Sequence, residues 1–185
     1  MQELDDMELV KQAQSGNIEA VGELYDRHRQ RIFRYIRANT TNTQVAQDLT
    51  GEVFYRMVNA LPGFEPRGVP FSAWLYRIAR NLLIKESQQA SKQATVPLTQ
   101  ASAIHQNGSN PAVVVEQQLQ LEQVLQGLEN LDESQREVVV LRFIVGLSLQ
   151  ETAVTLERTV GAIKTLQRRG VLTLQVALGQ GVQSR

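Results

Sequence analysis

The stretch SLQETAVTLERTVGAIKTLQRR, residues 148–169, decides the fold of this 185-residue chain. Its first four residues, Ser148-Leu149-Gln150-Glu151, form a capping box that begins a short helix. Glu157-Arg158 then makes a tight turn without glycine, so one of the two must adopt the turn conformation. Thr159 can cap the helix that follows. Two short helices at this spacing predict a helix-turn-helix, although an αα-hairpin with a basic surface would look the same.

The second helix of this motif turns basic and small side chains outward, with Ile163 and Leu166 assigned to the core. In a helix-turn-helix this helix enters the DNA major groove, where base edges carry a distinguishable pattern of donors and acceptors. Arginine can bind guanine through two hydrogen bonds, and lysine and hydroxyl groups can bind phosphates. The predicted DNA contacts are Arg158, Thr159, Ala162, Lys164, Thr165, Arg168 and Arg169.

Helical periodicity extends into the N-terminal half. Apolar residues at three- to four-residue spacing predict an amphipathic helix through Ile18, Val21, Tyr25, Ile32 and Ile36. A second helix is predicted over about residues 43–60 and stops at Pro62-Gly63, and a third begins near Phe71. No segment shows the alternation of a strand bounded by hairpin turns. The pattern therefore predicts an all-α protein.

Composition divides the chain into two small helical domains. Residues 88–112 are rich in Gln, Ser, Thr and Asn, with too few spaced apolar residues to bury a face, and predict a flexible linker. We expect one domain over residues 1–87 and a second over residues 113–185.

The zero net charge hides strong alternation along the chain. Residues 1–26 hold seven acids and one lysine, whereas residues 27–37 hold five arginines and no acid. Residues 67–92 and 136–185 are net basic, and residues 93–135 hold five acids and no base. These blocks fit separate DNA-facing and protein-facing surfaces, although solvated helix faces would give a similar pattern.

Several function classes are disfavoured. There is no cysteine, and only His28 and His105 could offer imidazole, so we expect no metal or cofactor. We find no convergent nucleophile and base and no phosphate-binding glycine loop, which argues against an enzyme. The acidic N-terminus is unlike a secretory signal, and no stretch approaches the roughly 18 apolar residues of a membrane span. We expect a cytoplasmic protein without membrane insertion.

Four blocks, in this order, resemble the extracytoplasmic-function (ECF) class of bacterial RNA polymerase sigma factors, group IV of the sigma-70 family. They are LYDRHRQRIFRYI (24–36), QDLTGEVF (47–54), FSAWLYRIARNLLI (71–84), and residues 131–165 around the helix-turn-helix. The resemblance covers nearly the whole chain except the linker. It implies sigma domain two, sigma domain four and a promoter-recognition role on core RNA polymerase without covalent chemistry.

The resemblance implies that the second block docks on the β′ clamp helices of the polymerase. Asp48 and Glu52 lie four residues apart on one helix face beside Val53, which suits docking on a basic coiled coil. It also implies that domain four binds the β flap and that an anti-sigma factor holds the protein inactive. The predicted polymerase contacts are Asp48, Leu49, Glu52, Val53 and Phe54.

The third block resembles the helix that reads and melts the minus-ten promoter element, while domain four reads the minus-thirty-five element. Capturing an unstacked base needs stacking and a hydrogen-bonding partner, for which Phe64 and Arg67 in the preceding Gly- and Pro-rich loop are candidates. Trp74 fits a core position better than a DNA contact. The predicted minus-ten contacts are Phe64, Arg67, Ser72, Arg77, Arg80, Asn81 and Lys85.

Three positions depart from the family pattern. Gly51 replaces a helix-favouring residue at a cost of about 1 kcal/mol, residues 85–89 are nearly neutral where an arginine cluster is usual, and Leu166-Gln167 replaces Arg-Leu. Weak intrinsic promoter affinity is the expected consequence. Two other classes stay open: a stand-alone helix-turn-helix regulator that binds a palindrome without polymerase, and a helical adaptor whose basic faces bind acidic proteins.

Overall fold

The computed structural model describes residues 4–66, 68–93 and 126–182. These residues form two compact units: the first comprises the described residues up to 93 together with Val154–Glu157, and the second comprises residues 126–153 and 158–182. Within the described ranges every regular element is helical, which confirms the all-α class. Of the helices described, none is both long and apolar enough to cross a lipid bilayer.

The first domain contains α1 (Asp6–Gln14), α2 (Ile18–Arg37), α3 (Thr43–Ala60), a 3₁₀ turn (Leu61–Gly63) and α4 (Phe71–Gln93). Asn17 and Asn42 begin α2 and α3, because each side chain accepts hydrogen bonds of 2.9 and 3.3 Å from backbone N–H groups of the first turn. Proline in the 3₁₀ turn ends α3 where the sequence predicted. Helix α4 continues past the predicted domain limit at residue 87, and the rest of the predicted linker lies outside the described residues.

The core of the first domain lies between α2, α3 and α4. Tyr35 and Tyr76 meet edge to face with ring centroids 5.4 Å apart, and both are almost fully buried. Helix α2 buries Leu24, but Ile18 is 83% exposed and Tyr25 is 40% exposed. The predicted apolar stripe is confirmed at Ile32 and Ile36, which are 1% and 0% exposed, but Ile18 lies outside the buried stripe, which passes through Leu24.

The acidic N-terminal segment folds as α1 and packs on α2, which the sequence did not predict. Leu9 and Val10 are buried. An Asp6 carboxylate oxygen lies 2.8 Å from Nε2 of His28 and the other lies 3.4 Å from a guanidinium nitrogen of Arg27. The hydrogen bond with His28 holds the pKa of Asp6 below its usual range, against the opposing effect of burial.

The second domain contains α5 (Glu133–Val139), which continues as a π-helical segment (Val140–Val145), then α6 (Leu149–Thr155) and α7 (Val160–Val182). At the start of α6 the Ser148 N–H donates to the Glu151 carboxylate (2.7 Å), and the Glu151 N–H donates to the Ser148 hydroxyl (3.1 Å). This reciprocal pair confirms the capping box. Gly170 lets α7 approach α5 closely, since a Cβ at that position would lie 2.7 Å from a methyl carbon of Val139.

Candidate nucleic-acid interface

The turn between α6 and α7 has the geometry of a helix-turn-helix. Glu157 takes the left-handed conformation that the turn requires, with φ of +54°. The Thr159 hydroxyl then accepts a 3.2 Å hydrogen bond from the N–H of Ala162 and caps α7. Ile163 is completely buried. The predicted capping and the predicted inward position of Ile163 are confirmed.

The outward face of α7 carries most of the predicted DNA contacts. Ala162 is half-buried, and the exposed members are Arg158, Thr159, Lys164, Thr165, Arg168 and Arg169. Besides the capping residue Thr159, two of them have side-chain partners within the domain: Arg158 donates to the Ser134 hydroxyl (3.2 Å), and the Thr165 hydroxyl donates to the Gly161 carbonyl (3.1 Å). Lys164 and Arg168 lie one helical turn apart on this basic face.

Gln167, one of the departures from the family pattern, has a structural role that the sequence did not reveal. Its side-chain carbonyl accepts a 2.9 Å hydrogen bond from Nε of Arg142, and the Arg142 guanidinium also donates to the backbone carbonyl of Leu147. Arg142 therefore ties α7 to the π-helical segment and the loop that follows it. Such a contact depends on tertiary placement, so periodicity alone could not show it.

The minus-ten candidates divide between core and surface. Phe64 is only 9% exposed, and its ring packs against those of Trp74 (centroids 4.6 Å apart) and Phe71 (5.7 Å). The prediction that Phe64 offers a free stacking face is corrected, because these two rings occupy it. Arg67 lies outside the described residues.

Of the predicted minus-ten contacts on helix α4, Asn81 lines a groove and the other four do not. Asn81 and Lys85 are exposed, while Ser72, Arg77 and Arg80 are half-buried. The groove runs between α3 and α4 and has a volume of about 580 Å³. Its lining residues are Glu52, Tyr55, Arg56, Asn59, Ala60, Trp74, Ile78 and Asn81. The half-buried Trp74 thus belongs both to the aromatic cluster and to the groove wall.

The predicted polymerase contacts on α3 also divide. Asp48 is exposed, and Leu49 and Glu52 are half-buried. Val53 and Phe54 are 0% and 5% exposed, so their assignment as direct contacts is corrected. They face inward because successive helical residues are rotated by about 100°, and Phe54 packs against Tyr25 with ring centroids 4.7 Å apart.

Two outward residues of α3 escaped the sequence analysis. Tyr55 is 67% exposed and Val58 is 48% exposed. They continue the face that bears Asp48, at seven- and ten-residue spacing, which places apolar surface beside the acid. Helix α3 continues through Gly51, where nothing lies within 4 Å of the position a Cβ would take. The signal that identifies Tyr55 and Val58 is the exposure of their large apolar side chains, which only the structure provides.

The acids on this face already have neighbours within α3. Asp48 accepts a 3.1 Å hydrogen bond from the Gln44 amide, and Glu52 forms a 2.7 Å ion pair with Arg56. Both contacts are solvent-exposed, so they stabilise the helix only slightly and can be exchanged for contacts with a partner. Across the described ranges no group of three or more potential metal-binding side chains occurs.

Comparison with known proteins assigns both domains. The family model for Sigma-70 region 2 matches residues 24–93, and that for Sigma-70 region 4 matches residues 127–175. The ECF RNA polymerase sigma factor BldN of Streptomyces coelicolor is 37% identical over 91% of this chain and 64% of its own length, so the chain spans just under two thirds of that relative. The ECF RNA polymerase sigma factor SigW of Bacillus subtilis is 30% identical over 87% of this chain and 90% of its own length.

A solved structure agrees with these matches. The structure of CnrH, a sigma factor of Cupriavidus metallidurans, in complex with the cytosolic domain of CnrY superposes with a TM-score of 0.74 at 29% identity. The alignment covers 96% of this chain and 99% of CnrH. With both sigma-70 regions present in order, this chain belongs to the ECF family of RNA polymerase sigma factors.

Proposed function

We propose that this chain binds core RNA polymerase and directs promoter-specific transcription initiation. The observation that carries the proposal is that one chain holds two different surfaces. The second domain has a capped helix-turn-helix with a basic outward face, and the region-2 domain has a separate helix, α3, with an acidic and apolar outward face. A stand-alone helix-turn-helix regulator does not account for the second surface. In this role the chain recognises DNA and performs no covalent chemistry.

Docking on the polymerase is assigned to α3. Its outward face combines the acid Asp48 with the apolar side chains of Tyr55 and Val58, and Glu52 flanks it. Acidic groups guide approach to a basic coiled coil, and desolvated aromatic and aliphatic side chains supply most of the affinity. The β′ clamp helices are the proposed partner. Val53 and Phe54 support this face from below.

Minus-ten recognition is assigned to the groove between α3 and α4. Trp74 offers an aromatic surface for an unstacked base, and the exposed amide of Asn81 can read a base edge. Lys85 can bind a phosphate from the end of the same face. Arg67 remains a proposed contact from the adjoining loop. Phe64 is now assigned a supporting role, since its ring holds that of Trp74.

Minus-thirty-five recognition is assigned to α7. Lys164, Arg168 and Arg169 supply charge, and the small Ala162 permits close approach to the bases. Weak intrinsic promoter affinity is expected from the departures at residues 85–89 and 166–167, and two weak DNA-binding domains gain affinity when polymerase holds them on one promoter. Contact of this domain with the β flap is part of the same proposal.

The setting of this activity follows from its partners. Because core polymerase and promoter DNA lie in the bacterial cytoplasm, we place the protein there. We also propose an inhibitory protein partner of the anti-sigma class. The CnrH structure supports this, since it was solved with the cytosolic domain of another protein, CnrY, bound to the sigma factor.

Reconstituted transcription tests the proposal. The purified chain is added to core RNA polymerase of the source bacterium with fragmented genomic DNA, and RNA 5′ ends are mapped. We expect start sites that appear only when this chain and core polymerase are both present. These start sites should share sequence elements upstream. DNA binding to a palindrome without polymerase would favour a stand-alone regulator, and absence of any association with core would refute the assignment.

Two substitutions separate the proposed surfaces and serve as controls for each other. Arg168→Ala should weaken holoenzyme binding to such promoters about tenfold, equivalent to roughly 1.4 kcal/mol, while core binding is unchanged. Asp48→Ala should weaken core binding about fivefold and leave promoter preference intact. Loss of core binding in the Arg168 variant would show that α7 has been assigned the wrong partner.

A further inference from the structure

The last residue of α1 is hydrogen-bonded to the 3₁₀ turn that leads into the Gly- and Pro-rich loop before α4. The side-chain amide of Gln14 donates hydrogen bonds to two backbone carbonyls, those of Leu61 (2.9 Å) and Phe64 (2.8 Å). These carbonyls stand at the first residue of the 3₁₀ turn and at the residue that follows it. One amide group thus uses both of its N–H donors to fix a turn about fifty residues away in sequence.

The fixed turn determines where the aromatic cluster lies. Phe64 is the residue whose carbonyl Gln14 holds, and its ring packs on Trp74 and Phe71. Trp74 forms part of the wall of the groove proposed to receive unstacked bases. Displacement of the turn would therefore displace the ring behind that wall. The loop carrying Arg67 also starts from this point.

Helix α1 is itself held firmly enough to serve as an anchor. At its other end Asp6 is hydrogen-bonded to His28, and Arg27 donates to the backbone carbonyl of Leu4 at 2.6 Å. The ring of His28 packs edge-on against Phe71, with centroids 5.5 Å apart. Both ends of α1 thus connect to the aromatic cluster, one through His28 and one through Gln14. The region-2 match begins at residue 24, after α1 ends.

From these contacts we propose that Gln14 is a positioning residue for promoter opening: it fixes the 3₁₀ turn and the Phe64 ring so that Trp74 in the groove wall is already in place to receive an unstacked base. The inference rests on the proposed function of the groove. Gln14 touches no DNA in this scheme. Its contribution is to reduce the ordering required of the groove wall when the strand opens.

Open-complex formation by the full holoenzyme tests the proposal. A fluorescent base analogue in the minus-ten element reports opening of a promoter found by the mapping experiment. Gln14→Ala removes both donors, and Gln14→Glu keeps the length of the side chain but replaces the donors with an acceptor. Gln12→Ala is the matched control, because Gln12 lies on the same helix and its side chain makes only an exposed 3.4 Å contact with Asn17.

Both Gln14 variants should bind core polymerase as the unsubstituted chain does. They should open duplex promoter about fivefold more slowly, which is the loss in rate expected when the net contribution of a typical hydrogen bond is removed. On a template with a preformed bubble the strands are already separated, so the rate of complex formation by both Gln14 variants should equal that of the Gln12→Ala control. Unchanged opening of duplex, or equal loss on both templates, would overturn the inference alone. Failure of the unsubstituted chain to open any promoter would overturn the proposed function and this inference together.

Discussion

The two domains present their proposed binding residues in different ways. On α7 the basic side chains project from one face while Ile163 fills the core from the other, so the surface and the core are separate. In the first domain Phe64 is a core residue whose ring supports the groove wall, and Trp74 belongs to both. The helix proposed to read duplex DNA needs only a rigid exposed face, whereas the surface proposed to capture unstacked bases is built on the aromatic core itself.

The largest expected effect tests whether Phe64 belongs to the core. Phe64→Ala should lower the free energy of unfolding of the first domain by about 3 kcal/mol, because it removes a buried ring and leaves a cavity. Urea unfolding followed by fluorescence measures this domain selectively, since Trp74 is the only tryptophan. Tyr55→Ala, the loss of an exposed aromatic side chain in the same domain, should change stability by less than about 0.5 kcal/mol. Equal effects of the two substitutions would abolish the distinction between core and surface.

A pair of glycines sharpens the comparison within the second domain. Gly161→Ala should stabilise α7 by up to about 1 kcal/mol through helix propensity, because its Cβ would meet only the Thr159 hydroxyl at 4.0 Å. Gly170→Ala should instead destabilise by about 1 kcal/mol, since overpacking against a stiff β-branched Val139 exceeds that gain. This domain has no tryptophan, so its unfolding is followed by circular dichroism at 222 nm. Stabilisation by both substitutions would show that α7 can move away from α5 without cost.

An effect no larger than those of the glycine substitutions concerns the anchoring of α1 and depends on pH. Asp6→Asn should cost about 1 kcal/mol at neutral pH through the weakened contacts with His28 and Arg27. Because the pKa of Asp6 is lowered in the folded state, this stability is fully present above its ordinary pKa of about 4, and it is lost as the pH falls through the lower folded value. Fluorescence-detected unfolding between acid and neutral pH measures the difference.

Glu8→Gln serves as the control for this measurement, since Glu8 is an exposed acid of α1 that pairs only loosely with Lys11 at 3.9 Å. Its effect on the free energy of unfolding should be close to zero over the whole pH range. A stability gap between Asp6→Asn and the unsubstituted chain that widens as the pH falls would contradict the expected pH dependence.

Local signals in the sequence predicted the elements well. Helix α3 runs from Thr43 to Ala60 as expected, because proline marks its end. The capping box at Ser148 and the strained turn before Thr159 are present as well. These features depend on residues a few positions apart, and the same holds for the outward face of α7.

Features that depend on distant residues were missed. Nothing local shows that Phe64 turns inward, because its position is fixed by Gln14 on α1 and by two rings of α4. Val53 and Phe54 follow Glu52 directly, but the rotation along a helix carries them to the opposite side. Helix α1 escaped prediction because its acidic composition suggested a solvated end, although Leu9 and Val10 are buried.

The left-handed conformation of Glu157 limits which sequences can evolve at the turn. An L-residue with a side chain held there costs about 1–2 kcal/mol, and β-branched residues cost more. Substitutions that survive selection at this position should be concentrated in glycine, asparagine and aspartate, while threonine, valine and isoleucine should be absent. The backbone angle of one residue thus restricts neutral drift beside a recognition helix whose exposed face can vary as promoters change.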